Sequence, residues 1–298
     1  MKSLEEVRQF AAQQGISVRG TTKVTGIFGD PVVYSLSPKM HNHAFAKLNL
    51  DFVYVPFLVK KEDLKKAVES IRGLNLAGVN VTIPHKETII PLLDSLSPLA
   101  RTIGAVNTVL NNRGKLVGYN TDAPGFLSSL REEGKFNPKG KSAVLWGAGG
   151  VAHAMGVALL EAGIKKILVL NRTYARGKDL AKRLKKLAKT AEVSALEVSS
   201  SAVLKELREC DLFLNATPSG IDAGSFPAAP EKFLSPGVLV FDAVYSKVTP
   251  LILAAKRNDA PYLNGLGMLA RQGALSFSLW TGAEPPFDLM REALEEAK

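Results

Sequence analysis

The chain has 298 residues, of which 46% are hydrophobic and 22% are charged, with a formal net charge of +10. This length predicts about two domains, and the single cysteine, Cys210, excludes an intrachain disulfide and a zinc site built from several cysteines. Residues 1–14 show helical spacing rather than an apolar signal core, and no apolar run reaches the roughly 18 residues of a membrane span. We therefore expect a cytoplasmic protein.

In the first 123 residues, strand-like runs alternate with segments of helical spacing. The sequence predicts strands at 25–28, 52–55, 79–83, 105–110 and 116–119. It predicts helices at 38–48, with Ser37 as N-cap and Pro38 in the first turn, at 62–71, and from Lys86 onward. Such alternation is typical of an α/β fold with an open, mostly parallel sheet.

A second alternating series begins near residue 141. It predicts strands at 142–146, 167–170, 212–214 and 238–241, and helices at 151–162, 251–256, 268–279 and 286–296. Gly163 is the expected C-cap of the helix at 151–162. The segment 133–141 contains Pro138 and two glycines, which indicates a linker, so we place a domain boundary near 123–140.

Basic residues concentrate at 165–189, where Asp179 is the only acidic residue. For most of them we favour the solvated face of a helix whose buried side carries Leu180, Leu184 and Leu187. No aromatic residues are interleaved with this charge and no nucleic-acid-binding motif accompanies it, so we expect no nucleic-acid partner.

A glycine-rich motif directly follows the predicted strand 142–146 and opens the next predicted helix. It reads Gly147-Ala148-Gly149-Gly150-Val151-Ala152, the G-x-G-x-x-A form of the dinucleotide-binding fingerprint. The first glycine permits a tight turn, the second lets the backbone approach a pyrophosphate, and the helix N-terminus supplies unpaired N–H groups. An ordinary loop is the alternative, but the strand before and the helix after favour the cofactor site.

The end of the next predicted strand distinguishes NAD from NADP. An NAD site usually carries an acidic residue about 20 residues after the glycines to bind the ribose 2′-hydroxyl. Here Asn171-Arg172-Thr173 stands in that place, and Arg176 follows. A guanidinium group can bind a 2′-phosphate through two parallel hydrogen bonds, and Asn171 and Thr173 offer neutral donors beside it. The sequence therefore predicts NADP as the cofactor, against the alternative of surface arginines.

Clusters of small polar residues lie within the predicted strands of the first series, at their ends, or where helices begin. Ser35 and Ser37 would point the same way in an extended segment and could bind a carboxylate together, although Ser37 could equally cap a helix. The other clusters are 80–86, which ends in Lys86, 104–108, which contains Asn107, and 118–123, which contains Asp122. Taken alone, Lys86 reads as a surface charge. Because polar residues within apolar runs need partners, these clusters suit a polyhydroxylated ligand.

Together these segments resemble the shikimate dehydrogenase family. The family's S-x-S, N-V-T-x-P-x-K, G-A-V-N-T and N-T-D elements occur here in the family's order. They are followed by G-A-G-G, N-R-T, N-A-T-x-x-G at 215–220, a tyrosine element at Tyr245 and G-L-G-M-L-x-x-Q at 265–272. The resemblance runs from about residue 25 to the C terminus, and so many ordered motifs are far more specific than any one of them.

The resemblance implies an NADP-dependent shikimate dehydrogenase that transfers a hydride between NADPH and the ring ketone of 3-dehydroshikimate. It implies a discontinuous substrate-binding domain at 1–123 plus 265–298 and a Rossmann-like NADP-binding domain at 124–264. A quinate/shikimate dehydrogenase with relaxed substrate or NAD use is the alternative. We expect a monomer or a homodimer with no membrane partner and, because the four histidines are scattered, no metal.

The resemblance also assigns roles to residues. Lys86 and Asp122 would be the catalytic pair. The substrate carboxylate would be bound by Ser35, Ser37 and Tyr245, and the ring hydroxyls by Thr82, Asn107, Asp122 and Gln272. The nicotinamide would be bordered by Ala243, Gly265 and Met268. The sequence departs from the family at Ala243, where methionine is common, and at Lys247, where proline is common.

Overall fold

A computed structural model describes residues 18–217 and 229–296, and the chain divides into two compact units. The first unit comprises the chain up to Thr121 and again from Gly273, and the second comprises Asp122–Gln272. The sequence places these two domain boundaries after residue 123 and before residue 265. The helical spacing noted at 1–14 lies outside the described residues.

The first unit begins with a six-stranded sheet. In chain order its elements are β1 (Lys23–Gly29), α1 (Ser37–Lys47), β2 (Phe52–Leu58), α2 (Leu64–Gly73), β3 (Gly78–Val81), β4 (Ser95–Leu96), α3 (Pro98–Ile103), β5 (Thr108–Asn112) and β6 (Lys115–Tyr119). The strand order is β2-β1-β3-β5-β6-β4. The first three strands are parallel, whereas β5 runs antiparallel to both β3 and β6.

The second unit holds a six-stranded sheet that is parallel throughout. Its elements are α4 (Asp122–Glu132), β7 (Ser142–Trp146), α5 (Gly150–Glu161), β8 (Lys166–Leu170), α6 (Tyr174–Leu187), β9 (Glu192–Leu196), α7 (Ala202–Glu209), β10 (Leu212–Asn215), β11 (Leu239–Asp242), α8 (Pro250–Arg257) and β12 (Tyr262–Asn264). The strand order is β12-β11-β10-β7-β8-β9. Numbered within the unit this is 3-2-1-4-5-6 when read from the other edge, the order of a dinucleotide-binding α/β sheet.

Two further helices complete the chain. Helix α9 (Leu266–Thr281) begins in the second unit and continues into the first, where α10 (Phe287–Glu295) follows and packs on α1. The Trp280 indole of α9 donates a hydrogen bond to the Val109 carbonyl of β5 at 3.0 Å, which joins the C-terminal segment to the first sheet. No helix among the described residues is long and apolar enough to span a membrane.

The strands form because their apolar residues are buried by helices. In the second unit β10 and β11 are buried along their whole length, as expected for parallel strands covered on both faces. In the first unit Val79, Val81 and Val109 of the sheet pack against Val68 and Ile71 of α2. The α/β fold class and the existence of most predicted elements are thus confirmed.

Several local predictions were wrong or incomplete. Ser37 is the first residue of α1 rather than its N-cap, because Leu36 already has helical dihedrals and occupies the capping position. Lys86 opens a series of turns and a short 3-10 helix rather than an α-helix. Leu187, at the last residue of α6, is 41% exposed, whereas Leu180 and Leu184 are buried as expected.

Candidate active site

The glycine-rich loop lies at the switch point of the second sheet, between neighbouring strands β7 and β10. Gly147 has a φ of +120°, and a Cβ atom placed there would lie 3.2 Å from the main chain of Ala216. The Ala216 amide donates to the Trp146 carbonyl at 2.8 Å, so the loops after the two strands touch. In open α/β sheets the ligand binds in the crevice at this point.

The second glycine of the motif leaves room for a ligand. Gly149 occupies the N-cap position of α5, and a Cβ atom added there would meet nothing within 4 Å. The first N–H groups of this 12-residue helix have no partner within the helix, and the helix dipole favours negative charge at this end. Open space before a helix N-terminus fits a pyrophosphate.

The segment after β8 brings the predicted 2′-phosphate residues close to this loop. The Asn171 side chain donates to the Thr173 carbonyl at 2.8 Å, which shapes the turn leading into α6. Arg172 is exposed just before that helix, and Arg176 in its first turn donates to the Ala148 carbonyl of the glycine loop at 3.5 Å. Two guanidinium groups and no carboxylate therefore flank the end of β8, an arrangement that fits NADP.

The loops after β10 and β11 carry the other predicted cofactor residues. Asn215 closes β10, and the Ala243 amide after β11 donates to the Asn215 carbonyl at 2.9 Å. Gly265 lies close to Ala243, because a Cβ atom added to Gly265 would come within 2.3 Å of the Ala243 carbonyl oxygen. Met268, three residues farther along the chain in α9, is buried. Residues 218–220 of the N-A-T-x-x-G motif lie outside the described residues.

In the first unit the serine pair lies at the start of α1. Ser37 is buried and Ser35 is half-buried, and the Ser37 amide donates to the Ser35 hydroxyl at 3.3 Å. The segment is not extended as expected, because Leu36 between them has helical dihedrals. The pair instead forms a local turn at the N-terminus of an 11-residue helix, a position that favours an anion.

Thr82 and Lys86 lie on the chain that leaves β3. The Thr82 amide donates to the Phe28 carbonyl at 2.9 Å, and the Val106 amide donates to the Lys86 carbonyl at 2.8 Å. The main chain at both positions is therefore anchored to neighbouring segments of the unit. Lys86 is half-buried, so it is not a fully solvated surface lysine.

A network of buried hydrogen bonds surrounds Asn107. Its side-chain oxygen accepts from the Thr121 amide at 2.7 Å, and its nitrogen donates to the Thr121 hydroxyl at 2.9 Å. Asn80 donates to the Asn107 carbonyl, and also to Ser276 of α9 at 3.0 Å. Tyr54 donates to Asn80 at 2.8 Å. Burial with satisfied partners rigidifies such a network, so Asn107 is held in one orientation.

Asp122 and Gln272 are the first and last residues of the second unit, in α4 and α9. Asp122 is buried in the first turn of α4, where the helix dipole favours a carboxylate. Within this unit Arg271 joins the two helices, because its guanidinium donates to Glu132 at 2.8 Å and also to Glu133. The hydrogen bond from Arg271, above all, holds the pKa of Glu132 below its usual range.

Tyr245 lies in the same loop after β11 as Ala243. Burial raises the pKa of its phenol above the ordinary value, so the group remains a neutral hydrogen-bond donor throughout the physiological range. Across residues 18–217 and 229–296, no group of three or more His, Cys, Asp or Glu side chains is placed to hold a metal ion.

Sequence reasoning missed the residues behind the site. Asp242, Thr249 and Ser276 are all buried. Asp242 accepts from the Val244 amide and from the Thr249 hydroxyl, and Ser276 forms a hydrogen bond with Thr108, the neighbour of Asn107. A buried aspartate at the end of a strand is a detectable signal, because a carboxylate there needs donors. Nothing in the sequence indicates Ser276, whose partner Asn80 is 196 residues away.

Three family models match consecutive parts of the chain. Residues 27–109 match the shikimate dehydrogenase substrate binding domain, and residues 131–221 match shikimate / quinate 5-dehydrogenase. Residues 265–295 match the shikimate 5′-dehydrogenase C-terminal domain.

Individual relatives match nearly the whole chain. An NADP(+) shikimate dehydrogenase of Desulforamulus reducens is 46% identical over 282 residues, which cover 94% of this chain and 97% of that protein. A crystal structure of a shikimate dehydrogenase in complex with NADP+ matches with a TM-score of 0.85 and 37% identity over 95% of this chain and 98% of its own. A Thermus thermophilus shikimate 5-dehydrogenase in complex with NADP(H) and shikimate matches with a TM-score of 0.81 and 39% identity, covering 93% and 100%.

Proposed function

The chain belongs to the shikimate dehydrogenase family, and from this we propose that it catalyses the reversible, NADP-dependent reduction of 3-dehydroshikimate to shikimate. The reaction serves chorismate and aromatic amino acid biosynthesis. The observation that carries the cofactor choice is the end of β8, where Arg172 and Arg176 stand in place of an acidic residue beside the glycine loop. The second unit is accordingly the proposed NADP-binding domain and the first the proposed substrate-binding domain.

NADP supplies or accepts the hydride when bound. For this chain we assign its pyrophosphate to the loop Gly147–Val151 and the N-terminus of α5. Its 2′-phosphate is assigned to Arg172 and Arg176, with Asn171 and Thr173 as neutral donors. Its nicotinamide is assigned to Ala243, Gly265 and Met268. Open space at Gly149 supports the pyrophosphate assignment, and the two guanidinium groups support that of the 2′-phosphate.

The substrate carboxylate is assigned to Ser35, Ser37 and Tyr245. The serine hydroxyls at the start of α1 and the neutral phenol of Tyr245 are suited to donating hydrogen bonds to an anion. The ring hydroxyls are assigned to Thr82, Asn107, Asp122 and Gln272, as in the family pattern. The rigid orientation of Asn107 supports its part, because a fixed amide discriminates between hydroxyl positions.

Lys86 and Asp122 are the proposed catalytic pair. A hydride that arrives at the ring ketone leaves negative charge on the carbonyl oxygen, and this charge needs a proton in the transition state. Lys86 donates that proton, and it accepts the proton of the shikimate hydroxyl in the oxidative direction. Asp122 accepts a hydrogen bond from a ring hydroxyl and so orients the ring. The main chain of Lys86 is anchored and its side chain is half-buried, and both features support a lysine held in a defined position.

A quinate/shikimate dehydrogenase with relaxed substrate or NAD use is the second candidate. The match of residues 131–221 to a shikimate / quinate family model supports this second candidate. The two enzymes share most motifs, and the arginines after β8 favour NADP use. We further propose that the enzyme acts on a small-molecule substrate and has no nucleic-acid or membrane partner. It is proposed to be a monomer or a homodimer in the cytoplasm.

The reductive reaction tests this proposal. Purified protein is given NADPH and 3-dehydroshikimate, the loss of NADPH absorbance is followed, and shikimate is identified in the product by chromatography. Equimolar conversion supports the proposal. NADPH that binds without turnover would instead indicate another substrate.

A further inference from the structure

The side chain of Asp242 is wholly buried at the last residue of β11, and the mechanism above does not use it. Its Cα atom pairs with that of Asn215, the last residue of the neighbouring strand β10. The two residues therefore lie side by side at the carboxyl edge of the sheet, which is where ligands bind in this kind of fold.

Three donors converge on the Asp242 carboxylate. The Asn215 side-chain amide donates to Oδ1 at 2.8 Å, and the Val244 main-chain amide donates to the same oxygen at 3.0 Å. The Thr249 hydroxyl donates to Oδ2, and the same hydroxyl accepts from the Ile252 amide at the start of α8. Burial raises the pKa of Asp242 and these donors oppose the rise. All three partners donate to its oxygens, a pattern that suits a carboxylate.

The network continues from Asn215 into the loop after β10. The Asn215 side-chain oxygen accepts from the Thr217 amide at 3.1 Å and from the Thr217 hydroxyl at 2.7 Å. These two donors fix the amide so that its nitrogen faces Asp242. A Cβ atom on Gly147 would lie 3.2 Å from Thr217, so this loop also abuts the glycine loop.

On the other side, Asp242 holds the segment assigned to the nicotinamide. Its bond to the Val244 amide shapes the turn that contains Ala243 and leads to Tyr245. The Gly265 amide reaches the Val244 carbonyl at 3.4 Å, and Gly265 abuts the Ala243 carbonyl. One buried carboxylate thus bonds to Asn215 of β10 and to the loop after β11, and through these it is linked to the glycine loop and to the loop after β12.

We propose that Asp242 is a positioning residue, which sets the nicotinamide half of the cofactor site and the direction of Tyr245 through Asn215, Val244 and Thr249. This inference rests on the proposed function. Asp242 has no exposed surface with which to touch a ligand, so it acts through these partners. The adenosine half, assigned to Arg172 and Arg176 on the other side of β7, does not depend on it.

The test separates the two halves of the cofactor. Adenosine 2′,5′-bisphosphate probes the adenosine half alone, and its Kd is measured by calorimetry. NADPH probes both halves, and the fluorescence of its bound dihydronicotinamide reports how firmly that ring is held. Steady-state kcat with shikimate and NADP⁺ reports the hydride step. The variants are Asp242→Ala and Asp242→Asn.

In Asp242→Ala we expect the Kd for the bisphosphate to stay within about twofold, while kcat falls roughly 100-fold, as a misplaced reacting group does. The fluorescence enhancement of bound NADPH should be lost as well. Asp242→Asn should rescue part of the loss, because its amide oxygen can still accept from Asn215 and Val244. Should the alanine variant fail to fold, the asparagine variant decides by the same readouts.

Asp211 provides a matched control in the same unit. Its carboxylate accepts from the Ser142 amide at 2.8 Å, the Ser142 hydroxyl at 2.9 Å and Lys141 at 2.9 Å, at the opposite, amino edge of the same sheet. Asp211→Ala removes three hydrogen bonds, as Asp242→Ala does, and Asp211→Asn keeps an acceptor oxygen, as Asp242→Asn does, so the pair reports the effect of losing such bonds away from the cofactor edge. They should leave the NADPH fluorescence and kcat close to wild type.

A parallel loss of bisphosphate and NADPH affinity in Asp242→Ala, or an unchanged kcat and fluorescence, would overturn the inference. The fluorescence arm needs no substrate, so it still decides about Asp242 if shikimate proves not to be turned over. Failure of the wild type to bind NADPH at all would reject both the cofactor assignment and this inference.

Discussion

Arg176, in the first turn of α6, donates a hydrogen bond to the Ala148 carbonyl of the glycine-rich loop at 3.5 Å. The helix that follows the second strand of the second unit is thereby tied to the loop that follows its first strand. Arg176, which is expected to face a 2′-phosphate, therefore lies next to the glycine loop, whose backbone is expected to face a pyrophosphate.

This arrangement predicts the effect of Arg172→Ala. Charge-assisted hydrogen bonds contribute about 1.5–3 kcal/mol each, so the KM for NADP⁺ should rise by roughly 10-fold to 100-fold, while the KM for NAD⁺ changes little. Steady-state kinetics with both cofactors measure the difference. Lys182→Ala, an exposed basic residue farther along α6, is the control and should leave both values unchanged. Equal losses for NADP⁺ and NAD⁺ would rule out contact with the 2′-phosphate.

Lys86→Ala should abolish proton transfer while leaving substrate binding largely intact. General acid–base groups contribute roughly 10²-fold to 10⁴-fold, and kcat should fall by a factor in this range with a modest change in KM. Lys60→Ala, an exposed lysine of the same unit, serves as control. A large rise in KM with kcat preserved would make Lys86 a binding residue.

The buried network around Asn80 predicts coupled effects on stability. Asn80→Leu leaves the Tyr54 hydroxyl, Ser276 and the Asn107 carbonyl without this partner, and should lower the free energy of unfolding by at least about 2 kcal/mol. Tyr54→Phe removes one donor and should cost about 1 kcal/mol. In urea unfolding, the double variant should lose less than the sum of the two. Strict additivity would show that the two side chains do not interact.

His41 predicts a pH dependence of stability. Its ring is fully buried, stacked on Tyr54 with centroids 4.4 Å apart, and burial lowers the pKa of His41 to about 3. In the unfolded chain a histidine titrates near pH 6.5, so below that pH the unfolded state binds the extra proton. Neutral His41 therefore costs no stability above about pH 6.5. As the pH falls from there toward about 3, the free energy of unfolding declines by about 1.4 kcal/mol per pH unit.

His41→Phe should remove this dependence, because a phenyl ring fills the same aromatic cluster without a titratable group. Free energies of unfolding from pH 7.5 to pH 4.5 compare the variant with wild type. At pH 4.5 the wild type should have lost roughly 3 kcal/mol more than the variant. His43→Phe, on the same helix and half-buried, is the control. Parallel curves for wild type and His41→Phe would contradict the assignment.

The sequence alone predicted the elements whose signal is local. Apolar runs located β7, β8, β10 and β11. Gly163 was predicted as the C-cap of α5, but the C-cap is Ala162, and Gly163 follows it with a φ of +81°. Helix α4 was missed because Pro124 and Gly125 resemble a turn, although proline is tolerated in a first helical turn. The short elements β9 and α7 were also missed, because five and eight residues are too few for their apolar spacing to distinguish them from the neighbouring chain.

The candidate site likewise contains residues that local sequence predicts and residues that it does not. The glycine motif and the arginines after β8 could be predicted because each lies within one short segment with its own chemistry. The roles of Asn80 and Asp242 could not, because they depend on partners from other strands and helices. Asn80 could have faced a ligand as readily as Ser276, and only the folded chain shows that its amide is used inside the unit.

Nicotinamide absorbance tests the central claim most directly. The wild-type protein is given NADP⁺ or NAD⁺, each with shikimate or quinate, and kcat/KM is determined for the four combinations. The account predicts that shikimate with NADP⁺ exceeds every other combination by about tenfold or more, the ratio that one charge-assisted contact provides. Comparable values with quinate or with NAD⁺ would contradict it and favour a dual-specificity enzyme.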